Sequence, residues 1–224
     1  MKKSVFVALI ACAVLIYANA AQAQVKAGRQ FLNLNVGGVI PLTKTDLGDR
    51  KEIIIKKGMA LGGQYIYQLT PVLGFGGELN YFAYGEQDID SHNMENKAAA
   101  ITGLAVVRCI LAPENPVHPY LTAGLGYGRM TTQTRPIGGA VWGDTLTSEW
   151  RDGYYAKISG PAFSLGMGVE GKLSDTIVVG AGLRWFRITS IQTVDHKIEF
   201  HPGEKSRSTQ GVAITASIGW KFGE

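Results

Sequence analysis

Cysteine is scarce in this chain: Cys12 and Cys109 are the only two, and Cys12 falls in an N-terminal stretch with the marks of a discarded leader. An intramolecular disulfide is then impossible in the mature chain, so something other than covalent staples must hold the fold. Outside the N-terminus no run reaches the roughly 18 apolar residues of a membrane-crossing helix, which excludes the helical class of membrane protein. Neither sign of charge prevails. Setting aside Lys2 and Lys3 leaves 20 basic residues against 18 acidic ones, which is no nucleic-acid footprint. What is present is apolar residue, 46% of 224, and glycine, 29 residues that all lie after position 24, about twice the usual share. Such a chain is too apolar for disorder and long enough for one domain.

Lys2 and Lys3 precede an apolar stretch from Val5 to about Tyr17, and Ala21-Gln22-Ala23 supplies the small-x-small pattern of a signal-peptidase site. Residues 1–23 are therefore expected to be a cleaved secretory signal and residues 24–224 the mature domain. A lipoprotein box at Leu9-Ile10-Ala11-Cys12 competes with this reading, but it would leave Val14 to Tyr17 stranded on the mature chain.

The mature part alternates with period two between turn residues, the pattern of β-strands. Eight runs follow: about 29–40, 57–69, 72–84, 98–111, 119–131, 161–173, 177–188 and 210–222, each near the length of a tilted bilayer-crossing strand. Their connections alternate between short and long. Leu69 to Val72, Ala112 to His118 and Leu173 to Thr176 are short, whereas Pro41 to Lys56, Gly85 to Lys97, Thr132 to Gly160 and Thr189 to Thr209 are long and polar. Short turns at one end and long loops at the other mark a bacterial outer-membrane barrel.

Parity assigns the faces. Leu32, Leu34 and Val36 share one face of the first strand, as do Leu121, Ala123, Leu125 and Tyr127 on the fifth, and this face carries no charge between its first and last apolar residue on each strand. The opposite face reads as small or polar, with Asn33, Gln64, Glu78, Asn80, Arg108, Thr122, Glu170, Lys172, Arg184 and Lys221 among many glycines. Aromatics fall in two belts: Tyr65, Tyr67, Phe75, Trp220 and Phe222 toward the short turns, and Tyr81, Tyr127, Phe163 and Trp185 toward the loops. A soluble barrel of the lipocalin kind would be apolar inside, and its usual Gly-x-Trp near the first strand is absent.

With Gly219-Trp220-Lys221-Phe222 at its end, the mature chain resembles the small eight-stranded outer-membrane proteins of the OmpA/OmpX type, although Gly223 and Glu224 follow the last aromatic. No periplasmic domain is expected after the eighth strand. The resemblance implies an all-β, antiparallel up-and-down transmembrane barrel. It further implies a monomer inserted by the barrel assembly machinery, with both termini in the periplasm, engaged in surface interaction, adhesion or envelope integrity.

Six charged residues, Glu78, Arg108, Glu170, Lys172, Arg184 and Lys221, share the expected lumen. Paired carboxylates there suggest acid–base catalysis less than a charge-compensated plug, since a closed interior penalises an unpaired charge. Each glutamate is thus expected against at least one of the four cations. An omptin-like protease would need an Asp-x-Asp pair, matched by Asp88-Ile89-Asp90, and an Asp-x-His pair, for which Asp195-His196 has the wrong spacing; omptins also have ten strands. The His-x-Ser of barrel-type lipid A deacylases occurs at none of His92, His118, His196 or His201. His196 and His201 do not share a strand face, as metal ligands would have to, and Gly124-Leu125-Gly126-Tyr127-Gly128 precedes no helix, so neither metal, cofactor nor phosphate loop is expected. Three function classes follow: a surface-interaction or envelope protein acting through its loops on a host or cell-surface ligand, a narrow solute channel, and a loop-borne enzyme. Beyond the loop-side belt, Lys57, Arg129 and Arg187 continue the outward face. They are expected either to bind lipopolysaccharide phosphates or simply to snorkel into water.

Overall fold

In the computed structural model, the residues described are 28–42, 56–85, 87–89, 94–136, 141–142, 145–146, 151–189, 192–193, 208–223. The expected signal, residues 1–23, lies outside them, as do most of the first and last long connections. Eight strands form the wall: β1 (Gln30–Pro41), β2 (Lys56–Gln68), β3 (Leu73–Gly85), β4 (Met94–Ile110), β5 (Val117–Pro136), β6 (Arg151–Lys172), β7 (Ile177–Thr189) and β8 (Ser208–Phe222). Every neighbouring pair is antiparallel, and β8 pairs with β1, which closes the sheet.

The closure is staggered. Stepping from Gln30 through the register partners Tyr67, Phe75, Val107, Ala123, Leu165, Trp185 and Val212 returns to β1 at Ile40, ten residues beyond the start. That offset is the stagger a small closed barrel needs to tilt its strands, and an eight-stranded wall leaves an interior just wide enough for side chains to fill.

Side-chain alternation follows the expected parity. Leu34 is 50% exposed and Leu125 64% on the outside, whereas Phe31 and Arg108 are each 1% exposed inside. An apolar outside and a mixed inside invert the soluble arrangement. The short turns carry their own caps: Thr70 Oγ1 accepts from the amides of Val72 (3.3 Å) and Leu73 (2.9 Å), and Ser174 Oγ accepts from that of Ile177 (3.1 Å). These hydroxyls satisfy amides the sheet ladder leaves free. Gly28 and Gly223 take positive φ, 82° and 90°, where the chain enters and leaves the wall at this same end.

The structure corrects three readings. The stretch 132–160 is not simply a connection: β5 continues to Pro136 and β6 begins at Arg151, with Val141–Trp142 paired to Thr145–Leu146 between them. β4 likewise starts at Met94, and Gln87–Ile89 pairs with it. Three adjacent strands thus run past the barrel rim, where no lipid imposes the alternation that marks a strand in sequence. The inward face, read as small or polar, is apolar over its loop-side half, where Val39, Phe82, Met130, Phe186 and Ile188 are buried together. Finally, His118 belongs to β5 rather than to the turn before it.

Candidate functional site: the charged lumen and the outer rim

Two ion-pair layers occupy the turn-side half of the lumen. In the first, Arg108 of β4 reaches across β5 to Glu170 of β6, with Nη2 2.6 Å from Oε2, and both side chains are almost fully buried. The Arg108 guanidinium lies 3.9 Å from the ring centroid of Tyr120 and 5.9 Å from that of Phe31, while Lys221 Nζ lies 5.4 Å from the Phe31 centroid. Aromatic faces replace part of the hydration these cations lose. Tyr120 fits because Gly168 faces it: a Cβ there would sit 2.5 Å from the phenol oxygen.

The second layer centres on Glu78 of β3. Its carboxylate accepts from Gln64 Nε2 (2.8 Å), from Asn80 Nδ2 and from the Arg184 guanidinium. Asn80 links further, donating to Thr102 Oγ1 (3.2 Å) and accepting from Arg184 Nη1 (3.3 Å). A buried carboxylate with three donors is compensated for leaving water, which an isolated one is not. Beside it a polar void of about 10 Å³ is lined by Asn33, Gln64, Tyr120, Thr122, Arg184 and Thr215, at the size of a single water.

Above both layers the lumen turns apolar. Phe82 of β3 and Phe186 of β7 stack across it, centroids 4.1 Å apart and planes within 3°. Phe186 is accommodated by Gly211, whose absent Cβ would lie 2.9 Å from the ring. Paired charges below and stacked rings above make this interior a packed core.

The six lumen charges therefore divide. The structure brings Glu170 to Arg108 and Glu78 to Arg184, and leaves Lys221 against Phe31. Lys172 does not join them: it pairs with Asp175 in the β6–β7 turn, and the ammonium beside Asp175 holds its carboxyl below the usual range. Being next to Glu170 on the same strand face did not decide the partner, because Arg108 also gains the Tyr120 ring. Sequence reasoning missed His118, which is fully buried and stands opposite Glu170 in the register. The signal was its even spacing with Tyr120 and Thr122, masked by Pro116 and Pro119.

At the loop end Lys57, Arg129 and Arg187 are all exposed, on β2, β5 and β7. One strand, β6, lies between Arg129 and Arg187, and two, β8 and β1, lie between Arg187 and Lys57, so they form a rim and not one cluster. Arg187 Nη2 donates to Ser208 Oγ at 3.2 Å, while Lys57 lies at a register shift between β2 and β3. The side chain of Asp88, and the whole of Asp90, His92, Asp195, His196 and His201, lie outside the described residues.

The fold has known counterparts. Neisserial surface protein A shares it with a TM-score of 0.53 at 15% identity, over 88% of this chain and 98% of that one. Ail, the attachment invasion locus protein of Yersinia pestis, solved with the heparin analogue sucrose octasulfate, gives 0.50 at 14% over 88% and 99%. The outer-membrane protease OmpT of Escherichia coli gives 0.45 at 12% over 87% and 97%. No curated protein matches the chain in sequence. The family model of the outer membrane protein beta-barrel domain matches residues 4–222, and the chain belongs to that family of bacterial outer-membrane barrels.

Proposed function

We propose that this barrel is a non-enzymatic surface protein whose wall and packed lumen serve as a scaffold, and whose long loops act in surface interaction, adhesion or envelope integrity. The observation that carries the proposal is the filled interior, with the Phe82–Phe186 stack above two buried ion-pair layers. A solute would have to break both. Loops on a rigid scaffold are where binding residues concentrate. In this reading residues 1–23 are removed on export, the barrel assembly machinery inserts a monomer, and both termini face the periplasm, since the strands begin and end at the short-turn side. Lys57, Arg129 and Arg187 meet lipopolysaccharide phosphates at the outer leaflet, Arg with a bidentate fork and Lys as a point charge.

The test is to express the full chain, and versions with residues 43–55 or 190–207 shortened, in a bacterium deleted for its own copy. Attachment to host cells and matrix, and resistance to detergent, are then scored. Loss of either with the loops, at unchanged amounts of heat-modifiable folded barrel, supports the proposal. Full function without the loops would overturn it. For the rim, replacing all three cations with Gln should reduce lipopolysaccharide retained through purification, whereas unchanged retention leaves only snorkelling.

A further inference from the structure

His118 is a buried titratable residue of the turn-side lumen whose chemistry the scaffold reading leaves unused. Its side chain has no solvent exposure, and neither ring nitrogen has a hydrogen bond of normal geometry, although the Asn115 backbone lies close by. Burying such a group without good partners costs stability, so its presence calls for a reason.

The register supplies one. His118 of β5 stands directly opposite Glu170 of β6, and residues opposite one another in an antiparallel pair hold their Cβ atoms within about 5.5 Å on the same face. Glu170 gives Oε2 to Arg108, while its Oε1 has no partner. A potential donor, with only the Asn115 backbone beside it, and a charged acceptor with a free oxygen thus face each other, both buried. The charges that bear on His118 are Glu170 from β6, Lys221 from β8 and Arg108 from β4; Tyr120 of its own strand and Phe31 of β1 add aromatic faces. Two cations and one anion already share this space. A neutral imidazole therefore suits it at neutral pH, and a protonated one suits it only by bonding the free carboxylate oxygen.

We propose that His118 and Glu170 form a proton-operated contact at the short-turn end of the lumen: neutral His118 leaves Glu170 to Arg108, and protonated His118 takes up Oε1. Acid then converts the Arg108–Glu170 pair into a triad with Glu170 at its centre, and loosens the hold of Arg108 on one carboxylate now shared between two cations. The step moves one proton from solvent to an imidazole nitrogen, and no covalent bond between heavy atoms changes.

The test uses the full chain in lipid nanodiscs with His92, His196 and His201 replaced by Gln, so that His118 gives the sole histidine signal. Imidazole and Arg108 Nε–Hε resonances are followed between about pH 8 and pH 5, the range in which histidine titrates. The expected result is a neutral-to-cationic imidazole transition with the Arg108 resonance moving at the same midpoint. Glu170→Gln should lower that midpoint by about one pH unit or more, the effect of removing an adjacent opposite charge. An imidazole that stays neutral to pH 5, or that titrates while Arg108 does not move, overturns the proposal. Should Glu170→Gln fail to fold, the coupling of the two resonances in the chain that retains Glu170 decides the matter.

Discussion

Arg108 and Glu170 meet at 2.6 Å across the intervening strand β5, in an interior where neither has appreciable contact with solvent. Removing one partner strands the other charge. Arg108→Ala or Glu170→Ala should therefore cost about 3–5 kcal/mol, while the double replacement by Met should recover much of that loss. Denaturant unfolding in lipid vesicles, read by the gel shift between folded and boiled protein, measures both.

The glycines make a sharper contrast. A methyl at Gly168 would lie 2.5 Å from the Tyr120 hydroxyl oxygen, whereas one at Gly103 meets nothing within 4 Å. Gly168→Ala should destabilise by about 1–3 kcal/mol, because the methyl would also lie 2.6 Å from the backbone carbonyl oxygen of Ala181 and must displace one or both. Gly103→Ala should leave the unfolding midpoint unchanged. Equal costs would mean that the lumen beside Gly168 is not packed as the structure places it.

Much of this was legible in the sequence, for identifiable reasons. Period-two alternation set Leu32, Leu34 and Val36 outward because lipid on one side of the wall demands it. Two things were not legible. Which glutamate takes which arginine depends on the stagger of the closed sheet, a property of pairing that no single strand carries: Arg108 steps through Thr122 to Gly166, four residues from Glu170, so strand tilt and side-chain reach close the pair. The apolar half of the lumen was hidden because Trp185-Phe186-Arg187-Ile188 puts large side chains on both faces, so parity alone could not show that Phe186 fills the interior. Of the candidate sites, the rim positions could be named from face parity and spaced from strand order, because consecutive strands pair in an up-and-down barrel.

On the outer wall Leu125 is 64% exposed, facing the bilayer. Leu125→Arg should cost about 2–4 kcal/mol if that position meets hydrocarbon near the bilayer midplane, and Leu125→Met much less. The same unfolding assay in vesicles reads both, and a tolerated Arg would contradict the lipid-facing assignment.

The Lys172–Asp175 pair should behave differently from the lumen pairs. Asp175 is exposed, and its carboxyl lies below its ordinary value through the hydrogen bond and charge of Lys172. A depressed carboxyl stabilises above its unfolded pKa and loses that contribution as pH falls through the folded one. The contribution is therefore present at neutral pH and lost only in acid, and it is small for an exposed pair. Asp175→Asn should leave the neutral-pH unfolding midpoint unchanged, in contrast to Glu170→Ala measured alongside.

The most direct test of a sealed lumen is a planar-bilayer recording of the folded full chain, alongside the double variant Phe82→Ala and Phe186→Ala. The stacked rings and buried ion pairs predict no steady conductance from the natural sequence. Discrete, long-lived openings from the natural sequence, at a frequency that scales with inserted barrels, would contradict it.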